Sequence, residues 1–255
     1  MNPIAFPRAK VAAALEAVTP DGDFEAPSSR VVEIDPRSFE RERILPAGAA
    51  GEHGGPYKML RTQVLRRLDK LGASSLAVVG TAADTGKTLT AINLAIAIAA
   101  DPERNALLVD LDLRKPRIHR RLGLVPVAGI DDCLRGDRPV SDAMVRLGGY
   151  PRLAVLPARE HSADSSELLS TRRTEELMLE MRSRYRDRVL LFDLPPVLQA
   201  ADALAFVRHV EAALLVVGEG RTRRDDLMRT VELLHDVMII GTVLNGTREP
   251  VVSYY

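Results

Sequence analysis

Short runs of consecutive apolar residues recur along the 255-residue chain, separated by stretches in which apolar positions return every three to four residues. The runs are Ser75–Gly80, Ala106–Asp110, Leu153–Leu156, Val189–Asp193, Ala212–Val217 and Ile239–Leu244. They are strand-length and show no apolar–polar alternation, so each predicts a strand buried on both faces. Helical spacing predicts helices over Tyr57–Leu71, Thr88–Ala100, Ile130–Leu134, Val140–Arg146, Arg172–Tyr185, Ala201–Val207 and Arg224–Leu234. In Tyr57–Leu71 the stripe is Leu60, Val64, Leu65 and Leu68. Such alternation predicts an α/β fold: a parallel sheet with helices on both faces. No internal repeat is visible.

The first 55 residues break this pattern. Pro3, Pro7, Pro20, Pro27, Pro36 and Pro46 interrupt every long element, and the Gly-rich Ala47–Gly55 follows. They read as an irregular N-terminal arm and linker (1–55), with one short helix around Lys10–Val18. The regular domain spans 56–250, and 251–255 forms a short tail.

Composition narrows the function. With 46% hydrophobic residues, 4% aromatic and no Trp, the core is large and aliphatic. Lys+Arg and Asp+Glu both number 35, so no overall charge draws the chain to nucleic acid or an anionic membrane. The single cysteine, Cys133, excludes an intrachain disulfide and a Cys-based zinc site. It reads as a small buried hydrophobe in a reducing compartment. The longest apolar run, Leu94–Ala100, is too short to span a bilayer, and the N-terminus lacks a secretion-signal layout. A cytoplasmic location is expected, with any membrane link made through a partner. Only five basic residues are Lys, so each Lys stands out.

One of them closes a phosphate loop. Strand Ser75–Gly80 runs into Thr81-Ala82-Ala83-Asp84-Thr85-Gly86-Lys87-Thr88, and a helix follows. Backbone N–H groups at such a helix start cradle phosphates, Lys87 bridges the β- and γ-phosphates, and the Thr88 hydroxyl ligates Mg²⁺. Without an anion, a cation at the positive end of a helix is unfavourable. The strict G-x-x-x-x-G-K-T spacing is not met: Thr81 occupies the first glycine position and Gly80 lies one residue early. Asp84 lies close to the expected polyphosphate and repels it unless it points outward.

Two further strands end in carboxylates: Leu107-Leu108-Val109-Asp110-Leu111-Asp112 and Leu190-Leu191-Phe192-Asp193-Leu194-Pro195-Pro196. Ligands of open α/β sheets bind at the carboxyl ends of the strands, so these acids converge on the phosphate loop. Carboxylates beside Mg²⁺ hold its water shell or accept a proton from a substrate hydroxyl. Alternatively, Asp110 and Asp193 cap the turns that follow them.

These motifs carry a resemblance. Val109-Asp110-Leu111-Asp112-Leu113-Arg114-Lys115-Pro116 resembles the second nucleotide motif of the bacterial tyrosine kinases (BY-kinases, the CpsD/CapB group). Phe192–Val197 is similar to their Walker B segment. Tyr57–Thr62, Ser166–Ser170, Ala201–Leu204 and Gly241–Asn245 also match, so the likeness covers about residues 57–247. The related ParA/MinD ATPases carry a signature Lys early in the phosphate loop, where this chain has Ala82.

The resemblance implies a P-loop fold and an ATP- and Mg²⁺-dependent tyrosine autokinase of exopolysaccharide or capsule synthesis and export. Its nucleotide site would be residues 81–88 with Asn245 near the adenine, and its acceptors Tyr254 and Tyr255. Asp110 would be the base toward the tyrosine hydroxyl, and Thr88, Asp112 and Asp193 would hold Mg²⁺; Asp110 and Asp112 could exchange roles. Its partners would be a membrane-embedded polysaccharide co-polymerase (a chain-length regulator) as activator and a tyrosine phosphatase as antagonist. The kinase would be recruited to the inner face of the membrane and would assemble as a homo-oligomer. The assembly helix of the resembled family carries Glu, Arg and Arg at three-residue spacing, where this chain has Gly55, Lys58 and Arg61. A nucleotide-binding pseudokinase scaffold and a ParA/MinD-like ATPase are the alternatives. Arg221–Asp226 reads either as a phosphate or acceptor contact, or as a helix start with Thr222 as N-cap.

Overall fold

A computed structural model of the chain describes residues 30–46 and 54–247. The expected helix at Lys10–Val18 and the tail 251–255, with Tyr254 and Tyr255, lie outside the described residues. In chain order the elements are β1 (Arg30–Val32), α1 (Pro36–Arg41), α2 (Gly54–Leu71), β2 (Ser75–Gly80), α3 (Lys87–Ala99) and β3 (Asn105–Asp110). There follow α4 (Ile118–Arg121), α5 (Ile130–Arg135), α6 (Val140–Ala143), β4 (Val145–Leu147), β5 (Leu153–Leu156), α7 (Ser165–Leu169), α8 (Arg172–Arg184) and β6 (Arg188–Asp193). The last are α9 (Ala201–Val207), β7 (Ala212–Gly218), α10 (Arg224–Leu233) and β8 (Met238–Asn245).

The strands form one sheet in the order β1-β4-β5-β3-β6-β2-β7-β8. All neighbours are parallel except β4 and β5. Successive strand residues point to opposite faces, so each strand feeds two cores. Ala77, Val79, Leu107, Val109 and Phe192 join Leu177, Met181 and Phe206 on one side. Leu76, Val78, Leu108 and Leu191 join Ile92, Ile96, Leu65 and Leu68 on the other. Helix α3 is apolar on most faces because it is buried, whereas α2 buries only Val64, Leu65, Leu68 and Gly54. Cys133 is buried within the first core, and burial pushes its thiol up to about 12. Among the described residues no helix is long and apolar enough to cross a membrane.

Several stretches depart from the pattern-based expectation, among them the short helices α4 and α7, which no spacing predicts. The helix expected over Val140–Arg146 stops at Ala143, and Val145–Leu147 turns into strand β4. That strand pairs antiparallel with the nearby β5 and parallel with β1, more than a hundred residues earlier, and the pairing overrides a short helical spacing. In the stretch read as an irregular arm, residues 30–46 contribute β1 and α1. Pro36, counted as an interruption, occupies the first turn of α1, where its fixed φ and missing N–H suit a helix start. Asp35 caps that helix by accepting from the Arg37 N–H at 3.0 Å. Phe39, Ile44 and Leu45 then bury themselves against α3 and β4 in the second core.

Candidate active site

The phosphate loop begins where β2 ends. Gly80 lies under the Lys87 stem: a Cβ there would sit 2.9 Å from Lys87 Cδ and 2.9 Å from Thr85 Oγ1. A glycine one residue early therefore still serves close packing in the loop. Asp84 takes a left-handed φ of 57°, and Gly86 a φ of 93° as the N-cap of α3. Gly86 offers no side-chain cap, so the positive end of α3 stays open toward the cleft. Asn245, at the end of β8, leans over Gly86 and donates from Nδ2 to the Thr85 carbonyl at 2.9 Å.

Lys87 is 6% exposed, and its Nζ donates to the Ala82 carbonyl at 2.9 Å. Among the described residues it forms no ion pair, and burial holds its pKa below the ordinary lysine value. A buried ammonium with one carbonyl partner calls for an anion. Asp193, at the end of β6, is buried beside the Thr88 hydroxyl, and its Oδ1 is left without a partner. Burial raises its pKa. An orphaned carboxylate oxygen beside a threonine hydroxyl is the donor set that a hydrated Mg²⁺ takes.

Asp110, the neighbour of Asp193 across the sheet, is fully buried and fully engaged. It accepts from the N–H groups of Asp112 (3.2 Å), Arg117 (3.1 Å) and Ile118 (3.0 Å). Burial and the Asp193 charge raise its pKa well above the ordinary range. Asp112, two residues on, lines the open cleft and accepts from the Lys115 N–H at 3.1 Å. Partial burial raises its pKa as well. The cleft has a volume of about 590 Å³ and runs from Asn245 and Gly246, past residues 83–89, to Asp112, Pro195 and Pro196.

The chain's sequence and fold are similar to those of known proteins. No family model matches the chain. It is 28% identical over 194 residues to the tyrosine-protein kinase YwqD of Bacillus subtilis, covering 75% of this chain and 80% of that one. It is 31% identical over 199 residues to the tyrosine-protein kinase wzc of Salmonella typhi, covering 77% of this chain but 27% of that one. Among solved structures the VpsO kinase domain superposes with a TM-score of 0.69 at 26% identity, over 83% of this chain and 98% of that one. The chain is a homologue of the bacterial tyrosine kinases. A broader P-loop likeness extends to the cell division ATPase MinD of Pyrococcus furiosus, with a TM-score of 0.58 at 27% identity over 68% of this chain and 71% of that one.

In this kinase homologue the structure brings Lys87, Thr88, Asp193, Asp112 and Asn245 to one end of the sheet. Asp110 lies beneath them as a buried acceptor for the loop that leads into α4. Asp84 lines the cleft with its carboxylate 66% exposed and paired with Arg117 at 3.1 Å, which holds its pKa down and offsets its charge. Thr222 is not the N-cap of α10, which is Arg223; the Thr222 hydroxyl instead accepts from the Gly218 N–H at 3.0 Å. The turn after β7 needs that acceptor more than the helix does. Arg221 reaches the phosphate loop and donates to the Asp84 carbonyl at 2.8 Å. On α2, Arg61 donates to the Ala97 carbonyl at the end of α3 at 3.2 Å.

The motifs include Asp202, within the matching stretch Ala201–Leu204, but give it no role, and they leave out Arg43. Asp202, wholly buried, receives Arg114 at 3.1 Å and so fixes the Arg-Lys-Pro segment. Arg43, from the stretch read as a linker arm, lines the cleft. No local signal gives the role of either one, because each acts across a large sequence separation.

Proposed function

We propose that this chain binds ATP with Mg²⁺ in the cleft and transfers the γ-phosphoryl group to a tyrosine hydroxyl, in the control of exopolysaccharide or capsule synthesis. The observation that carries this reading is the unpaired, buried Lys87 beside the orphaned Asp193 oxygen: a cation awaiting phosphate next to a carboxylate awaiting a metal. Its relatives' names as tyrosine kinases support the acceptor chemistry.

In this mechanism the start of α3 and Lys87 hold the phosphates, and Asn245 marks the adenine end. Thr88 and Asp193, with Asp112 at the rim, would hold the ion, which when bound would neutralise part of the phosphate charge. Asp112 accepts the proton of the attacking tyrosine hydroxyl. It is the carboxylate with a raised pKa that also opens to the cleft. Asp110 is reassigned from base to positioning residue, because its oxygens are occupied by backbone N–H groups. The products are ADP and phosphotyrosine. The proposed acceptors are Tyr254 and Tyr255, the activator a membrane-embedded polysaccharide co-polymerase at the inner face of the membrane, and the antagonist a tyrosine phosphatase. The working unit is a homo-oligomer.

The likeness to MinD favours one second reading, a P-loop ATPase that transfers phosphate to water. Incubation with ATP and Mg²⁺, read by phosphotyrosine mass spectrometry, separates the readings. Phosphotyrosine that disappears in Lys87→Met, and at the tail in Tyr254→Phe/Tyr255→Phe, supports the kinase. Phosphate release without phosphotyrosine supports the ATPase. Tight ATP binding with neither outcome, even with the activating partner, leaves a nucleotide-binding scaffold.

A further inference from the structure

We propose that Arg43, delivered from the segment before α2, contacts the terminal phosphate of the bound nucleotide. This inference rests on the nucleotide-binding reading above and adds a residue to that site.

Arg43 lines the cleft from a turn whose backbone is held on every side. Its φ is 59°, a left-handed conformation that arginine adopts only where the surroundings impose it. The constraint is a buried hub on α3. Asn93 donates from Nδ2 to the Arg43 carbonyl at 3.0 Å, and its Oδ1 accepts from the Leu45 N–H at 2.9 Å. The Arg43 N–H bonds the Glu40 carbonyl at 3.0 Å, and the Ile44 N–H bonds the Phe39 carbonyl at 2.8 Å. Ile44 and Leu45 are 4% and 2% exposed, and Tyr150 donates to the Leu45 carbonyl at 2.9 Å. The Tyr57 hydroxyl lies close to Asn93, so α2 packs against the same hub.

Position selects the phosphate end over the adenine end. The preceding residue, Glu42, pairs at 3.0 Å with Arg121 of α4, the helix that follows β3 and the Asp112 loop. In the sheet, β3 lies on one side of β2, while β8 with Asn245 lies on the other. Arg43 is thus anchored between α3 and α4, on the Asp112 side, where the terminal phosphate meets its acceptor.

Charge gives the residue its task. Arg114, Arg117 and Arg121 also line the cleft, but each is paired, with Asp202, Asp84 and Glu42. Among the described residues the Arg43 guanidinium has neither an ion pair nor a hydrogen bond, a state shared at the rim only with the Lys115 ammonium. A planar, always-charged fork on a rigid turn suits the spread charge of a transferring phosphoryl group.

Calorimetric titration with a non-hydrolysable Mg²⁺–ATP analogue and with Mg²⁺–ADP tests this on the full chain. In Arg43→Ala, affinity for the triphosphate analogue should fall about tenfold or more, and affinity for ADP by less than about twofold. Arg43→Lys should recover part of the triphosphate affinity. Equal losses for both nucleotides, or no loss, would overturn the proposal. If the wild-type chain binds neither nucleotide, the reading of the site fails and the proposal with it.

Discussion

Asp110 and Asp193 are register partners on adjacent parallel strands, both buried, and they are stabilised by opposite means. Asp110 is surrounded by three backbone N–H donors, whereas Asp193 lies beside the Thr88 hydroxyl and keeps an oxygen with no partner. Above its raised pKa, Asp193→Asn should therefore stabilise the nucleotide-free protein by about 1–2 kcal/mol, since it removes a buried charge that Lys87 offsets only in part. The same change should abolish stabilisation by Mg²⁺–ATP. Asp110→Asn should instead destabilise by about 1–3 kcal/mol, because it sets an amide donor against backbone donors. Thermal melts with and without Mg²⁺–ATP read both signs.

The same pair sets a pH dependence. Burial raises both carboxyl pKa values, so the folded, nucleotide-free protein holds protons that the unfolded chain has released. That contribution is complete below the ordinary carboxylate pKa and is lost as pH rises through the raised folded values. Affinity for Mg²⁺–nucleotide should move oppositely and strengthen with pH as Asp193 deprotonates. Urea melts across pH should show a shallower decline in Asp193→Asn than in wild type, and an equal slope would refute the linkage.

Gly86→Ala should be costly, because a Cβ would lie 1.9 Å from Asn245 Nδ2 at a φ of 93°. Strain at such a position costs about 1–3 kcal/mol, and moving Asn245 breaks its bond to Thr85. Adding Asn245→Ala should return part of that stability while leaving nucleotide affinity low. Denaturant melts of the two single variants and the double variant form the cycle that checks this.

The Asp84 carboxylate lines the cleft, 66% exposed and paired with Arg117, so its charge is largely offset. Asp84→Asn, which tolerates a left-handed φ, should change the ATP dissociation constant by less than about fivefold. Asp84→Val should weaken binding strongly, since a β-branched residue cannot hold a φ of 57° without strain. Calorimetry on both variants distinguishes charge from backbone conformation.

Phe39 is 3% exposed and lies 6.0 Å, centroid to centroid, from the Tyr150 ring. Phe39→Ala should cost about 3–5 kcal/mol in urea unfolding, as a core residue does. A change below about 1 kcal/mol would show that residues 30–46 are not integral to the fold.

The central strands were legible from sequence because burial on both faces leaves continuous apolar runs such as Leu107–Val109 and Leu190–Phe192. The phosphate loop was legible because Gly86-Lys87-Thr88 stands between such a strand and an apolar helix. Carboxylates at two strand ends announced a polar crevice, since open α/β sheets bind ligands at that edge. What local pattern cannot encode is the distant partner that satisfies each group. Pairing with the distant β1 helped make Val145–Leu147 a strand, and Asp35 made Pro36 a helix start rather than a break. The loop before α4 turned Asp110 inward onto three N–H groups and left Asp112 open to the cleft. Asn93, fifty residues away in sequence, carried Arg43 from an apparent linker to the cleft. Periodicity reports which faces a segment buries; which acid stays free and which arginine stays unpaired depends on contacts that exist only once the sheet has assembled.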